Sequence, residues 1–106
     1  MIDNEIRSIL QKREQIHSED YIRIEKCWEK EIEILCRDMS QTMEFIYNRC
    51  TGEEFVWLSE VFDEVAKESQ SKEFISCLYE TAGKYLEITK EYNLVEFIDS
   101  AKEFIE

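Results

Sequence analysis

Proline is absent from this chain, and glycine occurs only at Gly52 and Gly83. Tight hairpins draw on glycine and Asn-Gly turns, and phosphate-cradling loops need several glycines in one short run. Sandwiches, barrels and Gly-rich nucleotide sites are therefore poor candidates. Helices joined through side-chain caps remain. The 106 residues leave room for one domain, spanning 1–106, and 43% of them are hydrophobic, enough to fill a core. The expected fold is all-α, a single compact bundle of five or six short helices.

Cap residues and apolar spacing divide the chain. A first helix is predicted over about residues 2–16, with Ile2, Ile6, Ile9, Leu10 and Ile16 on one face. Ser18 is placed to cap a second, whose stripe is Tyr21, Ile24, Cys27, Trp28, Ile32 and Leu35. Asp38, three residues before Gln41, opens a third, with Met39, Met43, Ile46 and Tyr47 as its apolar members. Thr51-Gly52-Glu53-Glu54 fits a capping box and opens a helix running to about Glu68. Ser69-Gln70-Ser71 interrupts the periodicity and caps the next helix, Lys72 to about Leu86. Asn93, three residues before Glu96, starts the last, with Leu94, Phe97, Ile98, Ala101, Phe104 and Ile105 forming its apolar face.

Charge is distributed unevenly. The formal net charge is -12, from 25 acids and 13 bases. Residues 1–17 are neutral and residues 18–50 carry net -3, whereas residues 51–106 hold fourteen acids against five lysines, net -9. Nucleic-acid and anionic-membrane binding need clustered Lys and Arg, so neither partner is expected. The acidic surface either keeps the protein solvated or meets a cationic partner. Met1–Glu5 lacks the basic start and apolar run of a secretory signal, and no stretch approaches the ~18 apolar residues of a membrane span, so a cytoplasmic location is expected.

No constellation of catalytic type is visible. The four cysteines stand at 27, 36, 50 and 77, never as a CxxC, and the single histidine is His17. Zinc needs close ligand pairs, and a nucleophilic triad needs an oriented base. The cysteines are expected to be reduced thiols, and no catalytic residue, metal or cofactor is expected. Carboxylate pairs are too abundant to single one out.

Two helical faces carry more information. Glu31 falls at the centre of the stripe made by Ile24, Cys27, Trp28 and Leu35, so it must be paired, protonated or open to a partner. Pairing with an internal Arg or Lys is the expected outcome. On the helix opened by Thr51, a step of about 100° per residue puts Phe55, Leu58, Phe62, Val65 and Ala66 on one face. Glu53, Glu60, Asp63 and Glu64 gather opposite, with Trp57 at the border and Val56 inside the acidic face. An indole edged by carboxylates suits an interface anchor, or it packs against a neighbouring helix. The six candidate partner-binding residues are Glu53, Val56, Trp57, Glu60, Asp63 and Glu64.

The run Glu53-Glu54-Phe55-Val56-Trp57-Leu58-Ser59-Glu60-Val61-Phe62-Asp63-Glu64, continued by Ser69-Gln70-Ser71-Lys72-Glu73-Phe74-Ile75, resembles small immunity proteins of bacterial polymorphic-toxin and contact-dependent growth inhibition systems. The likeness covers about residues 51–85. It implies a non-catalytic cytosolic protein that binds and neutralises one cognate toxin; the free chain is expected to be a monomer or weak dimer. Many such toxins are RNase or DNase domains with basic active sites, which an acidic inhibitor suits. The alternative is an acidic helical adaptor or regulator of a basic cellular protein.

Overall fold

Side-chain caps open four of the eight helices. A computed structural model describes all 106 residues as eight α-helices and one 3₁₀ turn: α1 (Asp3–Gln15), α2 (Tyr21–Arg37), α3 (Met39–Asn48), α4 (Gly52–Leu58), the turn Ser59–Val61, α5 (Phe62–Ser69), α6 (Lys72–Lys84), α7 (Leu86–Glu91) and α8 (Leu94–Lys102). Asp38 accepts from the Gln41 N–H at 3.3 Å and opens α3. Thr51 and Glu54 form the reciprocal capping box of α4. Ser71 accepts from the Phe74 N–H at 3.0 Å and opens α6.

Two expected caps are corrected. Ser18 does not cap α2; the 17–20 turn hands that place to Asp20, whose carboxylate accepts from the Arg23 N–H. Asn93 offers no side-chain cap to α8, because it sits in the left-handed region at φ 53°. Gln70 shares that conformation at the end of α5, where helices commonly terminate. Its amide then ties down the chain end, donating to the Phe104 carbonyl and accepting from the Glu106 N–H.

Helix number also exceeds the expected five or six. The segment expected to run unbroken from Thr51 to Glu68 bends at Ser59–Val61, and the one expected to reach Leu86 stops at Tyr85. Beyond Tyr85 the chain adds α7, whose Thr89 turns inward and donates its hydroxyl to the Ala82 carbonyl. The Tyr85 hydroxyl itself donates to the Cys50 carbonyl, so the break between α6 and α7 is held from the α3–α4 connection.

The helices pack α1 on α2, α3 on α6, and α8 on both α5 and α6. Leu94, Ile98 and Ala101 of α8 are fully buried, and Phe45, Phe55, Phe62 and Phe74 fill the centre. Phe62 stands edge-on to Phe74 with centroids 6.4 Å apart, and lies 5.4 Å from Phe55. The face of α3 is corrected here. Ile46 turns inward as expected and Met39 and Met43 pack half-buried against the core, but Thr42 and Phe45 also turn inward and Tyr47 is exposed. Tyr21 likewise leaves the expected stripe of α2 for solvent. The radius of gyration of 12.8 Å is that of a tightly folded chain of this length. No helix is long and apolar enough to cross a membrane.

All four cysteines are free. Burial pushes the Cys50 thiol up to about 12 and the Cys36 thiol up to about 11, which keeps both protonated and poorly nucleophilic. Adding reductant should therefore leave the thermal midpoint unchanged. A drop of many degrees would reveal a disulfide contributing about 2–4 kcal/mol and contradict this assignment.

Candidate functional site

Arg13 and Glu60 meet at the junction of the N-terminal helices with the bent α4–α5 segment. The guanidinium donates Nε to Glu60 Oε1 at 2.9 Å and Nη2 to Oε2 at 2.7 Å. The Trp28 indole N–H donates to the same Oε1 at 3.1 Å. Arg13 also lies over the Trp57 ring, 5.0 Å from its centroid. A planar fork that pairs two oxygens while stacking on an indole is available to arginine and not to lysine.

The 3₁₀ turn explains why Glu60 takes part. Three residues per turn advance each position about 120° instead of about 100°, so residues after Leu58 leave the straight helical wheel. Val61 enters the core at 1% exposure, and Glu60 swings toward α1 and α2. The acidic face expected from a single straight helix is thereby split. Glu53 and Glu64 remain exposed, Glu60 is engaged with Arg13, and Asp63 is half-buried and accepts from the Ser100 hydroxyl at 3.2 Å.

Glu31 lies beside this junction. Pairing with an internal base is not what the structure shows. The side chain is fully buried, and neither carboxylate oxygen has a hydrogen-bond partner. Burial, reinforced by the neighbouring negative charge of Glu60 and only partly relieved by Arg13, pushes its carboxyl up to about 8. Glu31 is thus held neutral at ordinary pH.

On the far side of Trp57 the surface opens into a groove of about 440 Å³ between α4 and the α7–α8 hairpin. Val56 and Trp57 line one wall, and Ile88, Tyr92, Leu94 and Phe97 line the other. Glu53 stands at one end, and Ser59 and Glu60 close the other. Four of the six residues singled out from the sequence, Glu53, Val56, Trp57 and Glu60, therefore come together in one groove; Asp63 and Glu64 lie outside it. Tyr92 and Phe97 are 49% and 45% exposed, although Phe97 belongs to the helix whose Leu94, Ile98 and Ala101 are fully buried. Sequence reading assigned Phe97 to the core and did not single out Ile88 or Tyr92. Their role depends on the break at Tyr85, which no local pattern announces.

Apart from Glu60, the charge around the groove is uncompensated. Ion pairs are made by Arg7, Arg13, Arg23, Lys30, Arg37 and Arg49. None of the five lysines after Gly52 makes one, and of the fourteen acids in residues 51–106 only Glu54 and Glu60 are paired, both to arginines of α1. No group of three His, Cys, Asp or Glu side chains is gathered to hold a metal ion.

The neutral Glu31 has a consequence for stability. Its folded-state pKa of about 8 exceeds the ordinary 4.5, so the folded protein binds more protons than the unfolded chain between those values. Stability should then fall as pH rises from about 4.5 to about 8 and level off above, reaching a cost of about 3 kcal/mol at pH 7. Glu31→Gln should flatten that slope, and Glu31→Leu should raise the melting temperature at pH 7 more than at pH 5. Equal effects of Glu31→Leu at both pH values, read from thermal melts, would contradict a neutral buried acid.

Comparison of the chain with protein-family models, curated proteins and solved structures returned no match.

Proposed function

We propose that this chain is an immunity protein that binds and neutralises a cognate toxin domain, a nuclease with a basic active site, through its acidic C-terminal half. One observation carries the reading: an outward-facing apolar groove, with Trp57 in its wall, lies in the half of the molecule where every carboxylate but Glu54 and Glu60 lacks a cationic partner. A nuclease holds phosphates with Arg and Lys, and a surface of fixed carboxylates complements the same potential. Attraction between the two surfaces speeds encounter, which matters when free toxin is lethal. Slow release requires a desolvated centre, and Trp57 with its apolar neighbours supplies one.

A non-catalytic role is supported by where the perturbed carboxyl sits. Glu31 and Glu60 are coupled carboxyls of unlike environment, a pairing that serves acid–base chemistry in enzymes. Glu31, however, is 0% exposed and cannot touch a substrate.

Co-expression with the product of the adjacent upstream open reading frame tests the reading, scored by growth and by co-purification. The wild-type chain should restore growth and be recovered as a complex. Reversing Glu53 and Glu64 to lysine should slow association about tenfold at low salt with little change in dissociation, because both acids are exposed and unpaired. Added salt should slow wild-type association and affect the reversed variant less. A harmless upstream product that does not co-purify would refute the proposal.

A further inference from the structure

The groove has an apolar lining that a purely electrostatic inhibitor would not need. Carboxylates alone suffice to mask a cluster of lysines and arginines. Here Val56, Trp57, Ile88, Tyr92, Leu94 and Phe97 form two facing apolar walls, with Glu53 at one mouth. A volume of about 440 Å³ falls in the range that encloses a compact organic group, room for one or two large side chains. Its two half-exposed aromatics, Tyr92 and Phe97, stand on adjoining parts of the α7–α8 hairpin.

The charge of the surroundings selects the occupant. Glu53, Glu87, Glu91 and Glu96 lie on the elements that form the groove, and none has a cationic partner. A second copy of this chain would bring net -9 of the same sign against this half, so self-association through the groove is opposed. An acidic or neutral peptide would leave those carboxylates uncompensated. Another exposed apolar pair, Tyr21 and Ile22 on α2, stands among both signs of charge, Asp20 and Glu25 beside Arg23 and Lys26, and Asp20 is already paired to Arg23.

We infer that the groove receives a large apolar side chain presented by a cationic amphipathic segment of the toxin, with lysines or arginines on that segment meeting Glu53 and the acids of α7 and α8. This rests on reading the chain as an inhibitor of a basic protein, and it names what that protein inserts. The apolar group displaces water from between Trp57 and Phe97. Its flanking cations set the direction in which the segment lies.

A synthetic amphipathic peptide of lysine and leucine with one tryptophan serves as probe, followed by nitrogen–proton NMR correlation spectra of the intact protein. Two control peptides replace its leucines and tryptophan with serine, or its lysines with glutamate. The probe should shift the Trp57 indole resonance and the amides of Tyr92 and Phe97, and the two controls should bind at least about tenfold more weakly. Phe97→Ser, at a half-exposed site and with its fold verified by an unchanged amide pattern away from the groove, should weaken the probe about tenfold; Tyr92→Ser should act in the same direction, and Ile22→Ser should change nothing. Equal binding by the serine control, insensitivity to Phe97→Ser, or shifts centred on Tyr21 and Ile22 would overturn the inference. Growth rescue by the Phe97→Ser and Tyr92→Ser variants separates the two claims. Rescue that survives loss of groove binding overturns the groove as the toxin's seat, and failure of the wild-type chain to rescue any upstream toxin refutes the immunity reading even where the probe binds.

Discussion

The bidentate pair between Arg13 and Glu60 is the contact on which the arrangement of this molecule turns. It joins the last turn of α1 to the bend between α4 and α5, and through the Trp28 indole it includes α2. Side-chain exposures of 11% for Arg13 and 24% for Glu60 place it partly out of water, so losing it costs more than losing an exposed pair, which is worth ~1 kcal/mol at most. A second tie runs parallel to it. Arg7 of α1 donates at 2.9 Å to Glu54, whose other oxygen completes the capping box with Thr51. One carboxylate therefore both starts α4 and anchors it to α1, and the next acid along the bend repeats the anchoring.

From that junction follow the two features that give the molecule its character. Arg13 spends its fork on Glu60, so Glu31, fully buried on the inner face of α2, is left with no donor and stays protonated. The same pair fixes one end of the groove. Glu60 closes it on one side while Arg13 lies over the Trp57 ring, so that the indole is held by its neighbours and presents its remaining surface to solvent. An anchor that is ordered before its partner arrives loses less entropy on binding. The inhibitor reading draws on this pre-ordering as much as on charge.

Much of the fold was legible because caps are local. Asp38, the Thr51–Glu54 box and Ser71 each bond to a backbone N–H three residues on, and that spacing is written in the sequence. Ser18 and Asn93 carry similar side chains and do not cap, since the turn at 17–20 and the left-handed φ of Asn93 depend on how the chain enters and leaves. On α3 helical spacing places Met39, Met43 and Ile46 against the core, where they pack, but it also places Tyr47 there, which is exposed, and it passes over Thr42 and Phe45. Phe45 and Thr42 are turned inward by packing on α6, and Thr42 hides its hydroxyl by donating to the Leu35 carbonyl at 2.6 Å. Of the candidate site, Glu53, Val56, Trp57 and Glu60 were found from helical spacing, and the facing wall was not. Ile88, Tyr92 and Phe97 reach the groove only through a helix break held by a long-range hydroxyl bond from Tyr85 to Cys50, which no periodicity encodes. Glu31 stood out in the sequence, but its solitude depends on which acid claims Arg13.

The competition of two acids for one arginine is the central physical claim, and the titration of Glu31 measures it directly. The side-chain carboxyl carbon of Glu31 should be followed by NMR against pH in the wild-type protein and in Glu60→Gln. The wild-type carboxyl should titrate near 8. In the variant, burial still raises the midpoint, but loss of the Glu60 charge and release of Arg13 should lower it measurably. A wild-type midpoint in the ordinary range of about 4–5, or one that Glu60→Gln leaves in place, would contradict the account.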